Sequence, residues 1–416
     1  MWFEVPGESR SFHPHQVLIR KGEVLELTGQ WDAARELFAA GLERAGMACN
    51  KEAAAECRTK LGWLLYKRGE QETSLKLLES ARDHYRSTRD EPNLAAVLNK
   101  IGNNQIERGD NGRAMDCFQE SLDISTACQD RTGISIAVNN MGNLYGNLGD
   151  SQKALECYQK CYQADLQDGD QLNASLGMGN IGWVHLNMGD YGKALDCWEY
   201  LAKWAGYYGD KHNLTVALGN MSAVYMALGE YDKALRGIQT RLRLADEMGD
   251  RRGRSISLSH LAGLCRLKGE HENAKLYFDQ AIELARKINL TYYLTMFLQE
   301  KADLLFDLGE YSGSQDACLQ SMEISKALGK KDPGFLCNLI VAKITALSGT
   351  DDGLKAMEAL NPQNKPRHQA RLYYEMFKLS GKQEHRIKAL ALYREIYQTA
   401  PEVDFKHKIE EMEKGL

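Results

Sequence analysis

The chain has 416 residues, and its 52 lysines and arginines against 57 aspartates and glutamates give a formal net charge of −5. A hydrophobic fraction of 43% with 26% charged residues is typical of a folded protein and excludes a disordered one. The near balance of charge argues against a partner that is nucleic acid or a membrane surface. No run of about 18 apolar residues occurs, so the sequence predicts no membrane span.

The N-terminus and the ten cysteines predict a cytoplasmic protein. Residues 1–7 lack the basic and apolar regions of a secretory signal. The cysteines stand inside periodic segments, where a cytosolic chain keeps reduced thiols. We expect four of them to be buried between repeats, reduced and unreactive: Cys117, Cys157, Cys161 and Cys197.

Residues 1–14 are predicted to form a linker, and residues 15–350 then repeat with a period of 40. A glycine marks the phase of each repeat. These glycines are Gly29, Gly69, Gly109, Gly149, Gly189, Gly229, Gly269, Gly309 and Gly349. Glycine adopts positive φ at little cost, so each is expected to end one helix and let the chain turn into the next.

Further columns of the repeat predict how the helices pack. Acidic residues follow the phased glycine and suit a helix N-terminus; they are Glu70, Asp110, Asp150, Asp190, Glu230, Glu270 and Glu310. Small residues seven before and five after the glycine are expected where two helices approach closely, as at Gly142 and Ala154. Large apolar residues nine after it, such as Tyr158, are expected to fill the gap between helix pairs. A last column of aspartates, including Asp90, is expected to cap the following first helix.

The C-terminal part departs from this pattern. Residues 351–401 are predicted to form degenerate terminal repeats, with a short second helix interrupted at Asn361 and Pro362. Residues 402–416, rich in lysine and glutamate, are predicted to form a polar helix that caps the last apolar face.

The small, tyrosine, glycine, alanine and aromatic positions at Gly142, Tyr145, Gly149, Ala154 and Tyr158 resemble the tetratricopeptide repeat. The period of 40 is similar to the long-helix branch of that family, which includes Leu-Gly-Asn-repeat adaptors and bacterial sensor arms. The resemblance implies an all-α fold, a right-handed α-solenoid of about ten helix pairs with a C-terminal capping helix. It also implies that the first helix of each pair lines a concave groove.

Three columns around the first-helix glycine are expected to face this groove. They contain Lys60, Trp63, Asn99, Lys100, Asn103, Asn139, Asn140, Asn143, Asn180, Trp183, Asn220 and His260. Asparagine costs about 0.5 kcal/mol relative to alanine inside a helix, so this accumulation needs a physical reason. A carboxamide both donates and accepts hydrogen bonds, so a ladder of them can pair with the backbone of an extended peptide, as the resemblance implies. The alternative is that the amides bond to neighbouring helices and fix the stacking of repeats.

The sequence therefore predicts a non-catalytic scaffold that binds a peptide segment or a partner helix of another protein. The alternative is a sensor, or a sensor arm, whose ligand capture controls a signalling effector. Quorum-type peptide receptors resemble this alternative, but they carry an additional N-terminal segment for which residues 1–14 leave no room. The sequence does not indicate an oligomeric state.

We expect no enzymatic activity, cofactor or metal, because no phosphate loop, zinc motif or nucleophile elbow occurs. Cys157 and Cys161 share a helix face, but no second ligand pair follows them. Arginines including Arg236, Arg241 and Arg252 surround the turn at Gly249, where they are expected to form a solvated convex edge.

Overall fold

The computed structural model describes residues 14–27, 30–68, 70–327, 334–360, 362 and 365–414. These residues form helices and no strand. The helices are α1 (Pro14–Leu27), α2 (Trp31–Met47), α3 (Lys51–Lys67), α4 (Gln71–Thr88), α5 (Glu91–Glu107), α6 (Asn111–Ala127), α7 (Arg131–Asn147), α8 (Ser151–Gln167), α9 (Gln171–Asn187), α10 (Tyr191–Tyr208), α11 (Lys211–Ala227), α12 (Tyr231–Met248), α13 (Arg251–Leu267), α14 (His271–Lys287), α15 (Thr291–Asp307), α16 (Tyr311–Ala327), α17 (Phe335–Ser348), α18 (Thr350–Glu358), α19 (Pro366–Ser380), α20 (Gln383–Thr399) and α21 (Val403–Lys414).

These helices confirm the predicted α-solenoid, with ten pairs followed by α21 in the part of the chain that is described. The odd-numbered helix up to α19 is the first of each pair, and the even-numbered helix is the second. First helices of neighbouring repeats also contact each other, as α3 does with α5 and α13 does with α15. Within unit 1 from α1 to α7, and within unit 2 from α11 to α19, the contacting first helices therefore form the layer that is expected to line the groove.

The chain divides into two compact units, unit 1 (residues 1–164) and unit 2 (residues 165–416). Of the predicted linker at residues 1–14, residues 1–13 lie outside the described residues and Pro14 begins α1; Gly29, Gly69 and Asn361 also lie outside the described residues. In unit 2, α18 has nine residues, so the second helix of that repeat is short, as the sequence predicts.

The phased glycines turn the chain as expected between Gly109 and Gly309, where all six adopt positive φ of 76° to 81°. Gly349 is a correction, because its φ of −172° is extended and the turn into α18 does not need a left-handed residue. Left-handed residues also end the second helices, a column that the sequence analysis did not identify. Its members are Cys49, Arg89, Gln129, Gly169, Gly209, Gly249 and Asn289.

The acidic column separates by side-chain length. Asp110, Asp150 and Asp190 each accept a hydrogen bond from the backbone N–H three residues further on, at 3.1 to 3.2 Å. The glutamates at positions 70, 230 and 270 make no such capping bond. The shorter carboxylate reaches the free backbone N–H groups of the first turn, and this makes aspartate the better cap.

Glycine recurs in the first helices because a large side chain from the second helix occupies the space beside it. A Cβ atom at Gly142 would lie 2.9 Å from the ring of Tyr158, and one at Gly182 would lie 2.9 Å from Nε1 of Trp198. Both rings are buried. The repeat thus conserves a close approach of the first-helix backbone to one large side chain.

Replacing Gly142 with alanine is expected to lower the free energy of unfolding by about 1–3 kcal/mol, because the added methyl group overpacks the Tyr158 ring. Gly263 is the matched control, since a Cβ atom on this first-helix residue meets no atom within 4 Å. Gly263→Ala should instead raise stability by about 0.5–1 kcal/mol through helix propensity. Urea unfolding of both variants tests this, and equal effects of the same sign would refute the packing explanation.

The C-terminal helices of unit 2 return to its first repeats. Oη of Tyr191 donates to a carboxylate oxygen of Glu402 at 2.5 Å, and Arg367 pairs with Glu402 at 2.8 Å. The turn at Gly189 lies against Ala400, and the turn at Gly229 lies against Val403. Unit 2 therefore closes on itself, and α21 does more than cap the last apolar face.

Candidate functional site

The predicted groove asparagines do not share one role. Asn99 and Asn140 are buried, and Nδ2 of Asn140 donates to Oδ1 of Asn99 at 3.2 Å. Nδ2 of Asn99 donates to Oγ of Ser121 at 2.8 Å and to the carbonyl of Ala95 at 3.2 Å. These bonds join α5, α6 and α7, so for Asn99 and Asn140 the stacking alternative accounts for the amides.

We call this line of contacts between neighbouring first helices the seam. In unit 2 the seam recurs where Oγ of Ser259 donates to a carboxylate oxygen of Glu300 at 3.0 Å. Ser259 and Glu300 occupy the same columns as Asn99 and Asn140. Asn139 and Asn180, from these columns, also interact with other residues of the chain.

Asn104 is a structural residue that the sequence analysis missed. It is fully buried, and its Nδ2 donates to Oγ of Ser74 at 2.8 Å. Ser74 in turn donates to the carbonyl of Gly62 at 2.7 Å. The available signal was Ser74 itself, a hydroxyl in a column that is otherwise mostly alanine.

An aromatic platform lies on α3 in unit 1. The rings of Trp63 and Tyr66 stack with their centroids 4.8 Å apart. Nζ of Lys67 lies 5.6 Å from the Trp63 centroid, and Nζ of Lys100 from α5 lies 5.8 Å from it. Ammonium groups at these distances are attracted by the indole ring, which holds both lysines beside the platform.

The lysines around this platform differ in their counter-charges. Lys60 pairs with Glu23 at 2.5 Å and Lys67 pairs with Glu26 at 2.6 Å, so α1 supplies carboxylates that the sequence analysis did not identify. Lys100 forms no ion pair with any residue in the described part of the chain. Burial lowers the pKa of Lys100, and the positive charges of Lys60 and Lys67 lower it further.

The column one residue after the first-helix glycine is the more accessible one. Asn143 is exposed and Asn103 is half-buried. Oη of Tyr158 donates to Oδ1 of Asn143 at 2.6 Å, which leaves the amide hydrogens of Asn143 for another acceptor. The amide of Asn103 makes no hydrogen bond within the described ranges. We define the unit 1 groove as Trp63, Tyr66, Lys100, Asn103 and Asn143.

In unit 2, Trp183 occupies this same column and is 38% exposed. Asn220 and His260 are half-buried on α11 and α13. Burial lowers the pKa of His260 to about 3, with a contribution from the positive charge of Arg241, so the imidazole is neutral near pH 7. We define the unit 2 groove as Trp183, Asn220 and His260.

Arg241 is a correction to the predicted solvated edge. Its side chain is buried, with 9% exposure, whereas Arg236 on the same helix is exposed. A Cβ atom at Gly219 would lie 2.7 Å from its Nη1 atom, so the guanidinium occupies the space beside the α11 backbone.

The thiol expectation holds in part. Cys161 and Cys197 are buried, but Cys117 and Cys157 are half-buried, and all four are free. Burial raises the pKa of Cys117 and Cys197 to about 11. Among the described residues, no group of three or more histidine, cysteine or acidic side chains is placed to hold a metal ion. Their helices include none that is both long and apolar enough to cross a membrane.

The fold is shared with several solved structures. The apo form of the quorum sensor NprR from B. thuringiensis is 15% identical, with a TM-score of 0.56 over 83% of this chain and 97% of that one. A Rap protein complexed with competence and sporulation factor is 14% identical, with a TM-score of 0.53 over 76% of this chain and 99% of that one. A STAND protein with a tetratricopeptide repeat sensor from Pyrococcus horikoshii is 15% identical, with a TM-score of 0.52 over 79% of this chain and 53% of that one.

These identities show the fold alone. The alignments cover nearly all of the NprR and Rap chains. The sequence has no significant match among curated proteins. A family model described as tetratricopeptide repeat matches residues 15–87, 134–199 and 213–287, just over half of the chain. Together with the phased glycines and the ten helix pairs, this match shows that the chain belongs to the tetratricopeptide repeat family.

Proposed function

We propose that the chain is a non-catalytic protein-interaction scaffold that binds an extended peptide segment of another protein in the unit 1 groove. The observation that carries this proposal is Lys100, an ammonium held beside Trp63 with no carboxylate partner in the described chain. A lysine that only stabilised the stacking of helices would be expected to pair with a carboxylate. The neighbouring lysines Lys60 and Lys67 do so, with Glu23 and Glu26.

The groove residues supply three complementary contacts. The Trp63 and Tyr66 rings offer a flat apolar wall for a ligand side chain. Asn103 and Asn143 offer amide groups to a peptide backbone, and Lys100 offers a positive charge to an acidic group. These groups come from α3, α5 and α7, so a ligand that uses all of them must extend across three repeats.

Two structural neighbours support the proposal by analogy. One is the Rap protein complexed with competence and sporulation factor. Another is the Rap conjugation gene regulator of the plasmid pLS20 in complex with the Phr* peptide, which is 15% identical with a TM-score of 0.50 over 66% of this chain and 74% of that one. Both are solenoids of related fold that hold a ligand.

The experiment begins with selection of binding peptides from a displayed library of random dodecamers on the intact chain. Trp63→Ala is expected to weaken a selected peptide by about 2 kcal/mol, close to thirtyfold, if this ring is the central anchor. Asn103→Ala is expected to cost about 1 kcal/mol, close to fivefold, since it leaves a ligand amide unpaired. Neither variant should unfold more readily than the parent chain.

Asn99→Ala is the matched control, because this amide is buried in the seam four residues away. It should lower the melting temperature, since Asn140 and Ser121 lose their partner, while the folded protein keeps its affinity. The reverse pattern, in which Asn103→Ala destabilises the fold and leaves affinity unchanged, would end the groove proposal. Failure to select any peptide that depends on Trp63 would do the same.

One observation favours the sensor alternative. Unit 2 closes through a small polar contact of Tyr191, Arg367 and Glu402, a contact that a change of superhelical curvature would break. If the chain is a sensor, addition of a selected peptide should change its radius of gyration in small-angle X-ray scattering. An unchanged radius at saturating peptide would favour a scaffold that does not transmit ligand capture.

A further inference from the structure

Arg241 occupies a column of the repeat that is otherwise small or apolar. The counterparts of Arg241 in the other repeats are Gly41, Ala81, Ser121, Cys161, Leu201, Ala281 and Ser321. In the preceding repeat, Leu201 fills the space beside Gly179, where a Cβ atom would lie 2.9 Å from its Cδ2. Arg241 fills the corresponding space beside Gly219, where a Cβ atom would lie 2.9 Å from its Cζ. The guanidinium of Arg241 therefore fills a space that the side chain of Leu201 fills in the preceding repeat, so packing alone does not require an arginine here.

The guanidinium has no counter-ion in contact. Nε of Arg241 is buried without a hydrogen-bond partner, and the side chain forms no ion pair with any residue that the structure describes. Burial lowers the pKa of Arg241. The negative charge of Asp250 acts in the opposite direction, although Asp250 forms no ion pair with Arg241. Asp250 itself accepts a hydrogen bond from the backbone N–H of Gly253 at 2.8 Å and caps α13.

The position of Arg241 in the seam shows which hydrogen bond of the repeat is absent here. Gly219 and His260 occupy the columns of Asn99 and Asn140, whose amides bond to each other at 3.2 Å in unit 1. In unit 2 the Arg241 guanidinium takes the place of the first amide, and His260 takes the place of the second. Nδ1 of His260 is also buried without a partner. Two polar groups without partners, close enough for the charge of Arg241 to lower the pKa of His260, thus lie in the columns that Asn99–Asn140 and Ser259–Glu300 close with a hydrogen bond.

Part of this pair remains accessible. The Nη atoms of Arg241 and Nε2 of His260 have no hydrogen-bond partner in the described chain, yet they are not among the buried unpaired atoms. His260 is half-buried on the layer of first helices. Each of these atoms therefore keeps a small exposed surface that a ligand in the unit 2 groove can contact.

We propose that Arg241 and His260 form a carboxylate-binding subsite in the unit 2 groove, occupied by an acidic group of a bound peptide. The subsite rests on the proposed function only in assigning the carboxylate to a peptide. Two carboxylate oxygens match the donors of one guanidinium and an adjacent imidazole N–H. The pair carries one positive charge, because the imidazole is neutral, and this suits a singly charged carboxylate better than a doubly charged phosphate.

The test uses small probes on the intact chain, so it does not depend on peptide selection. The Nε–H signal of Arg241 in a ¹H–¹⁵N spectrum is assigned by its loss in Arg241→Leu. We expect sodium acetate to shift this signal saturably, while acetamide and sodium chloride at matched concentration leave it in place. Acetate should protect the parent chain against thermal unfolding, and this protection should fall at least tenfold in Arg241→Leu and persist in the exposed control Arg236→Leu.

The source of the carboxylate is separated by N-acetyl-tetraglycine as the free acid and as the amide, and by the amide of N-acetyl-glutamate. Binding of the free acid assigns the subsite to a peptide C-terminus, and binding of the glutamate compound alone assigns it to an acidic side chain. Binding of both compounds assigns the subsite to carboxylates of either source.

Three results would overturn the proposal. If acetate does not shift the Arg241 signal, the guanidinium does not bind a carboxylate and is hydrogen-bonded to water alone. A larger shift with phosphate than with acetate would assign a different anion. A lower melting temperature of Arg241→Leu without ligand would show a structural role, because leucine at this place, as at Leu201, should stabilise the fold by removing a buried unpaired charge. Failure of peptide binding in the unit 1 groove would leave the acetate result unaffected.

Discussion

Replacing Asp303 with asparagine is expected to lower the free energy of unfolding of unit 2 by about 3 kcal/mol. The Asp303 side chain is 7% exposed, and it accepts hydrogen bonds from Nη2 of Arg266 at 2.9 Å and Nη2 of Arg371 at 2.7 Å. It therefore joins α13, α15 and α19. The neutral amide would leave two partly buried guanidinium groups without the carboxylate between them.

Asp307 provides the matched control. It also pairs with Arg266, but its side chain is 48% exposed and solvent screens the interaction. Asp307→Asn should therefore cost no more than about 1 kcal/mol. Chemical denaturation of the two variants at pH 7 measures the difference, and equal losses would show that the burial of Asp303 does not matter.

The effect of Asp303 should depend on pH. Burial raises the pKa of Asp303, but Arg371 and Arg266 outweigh burial and hold it below its ordinary value. A carboxyl whose pKa is lower in the folded state contributes stability above its unfolded pKa and loses it as the pH falls through the folded value. The difference between the parent chain and Asp303→Asn should therefore shrink below about pH 4. A difference that grows on acidification would contradict this sign.

The repeat columns were predictable because each column describes one contact made many times. The small residue at Gly142 and the large one at Tyr158 are 16 positions apart, and the same spacing recurs at Gly182 and Trp198. A sequence with strict period therefore reveals helix boundaries, turns and the packing within a pair. Gly349 belongs to the first irregular repeat, where the strict period ends, and its backbone conformation differs from that of the other phased glycines.

A single repeat does not reveal which asparagines are buried in the seam and which remain accessible in the groove. Asn99 and Asn103 are four residues apart and share a helix face, yet the first is buried and the second is half-buried. What separates them is the neighbouring repeat, which places Asn140 against Asn99. The period contains this information, because residues 41 positions apart meet in the seam, but the columns have to be compared across repeats to reveal it.

The long-range features were beyond periodic reasoning. Tyr191 and Glu402 are 211 residues apart, and no column relates them. Periodicity describes contacts between nearest neighbours, whereas closure depends on how rotation accumulates over several repeats. The burial of Arg241 was missed for a related reason, since a charged residue in an otherwise apolar column was interpreted by its type and not by its position.

Replacing Trp198 with alanine is expected to cost about 3–5 kcal/mol, the largest effect of any change considered for unit 2. The indole is fully buried, and its Nε1 donates to the carbonyl of Gly179 at 3.1 Å, so its removal leaves a cavity and loses this hydrogen bond. Trp183, in the same repeat, is 38% exposed, and Trp183→Ala should change stability by less than about 1 kcal/mol. Guanidinium chloride unfolding distinguishes the two. Comparable losses would mean that Trp183 is a core residue, and it would then no longer be a candidate anchor of the unit 2 groove.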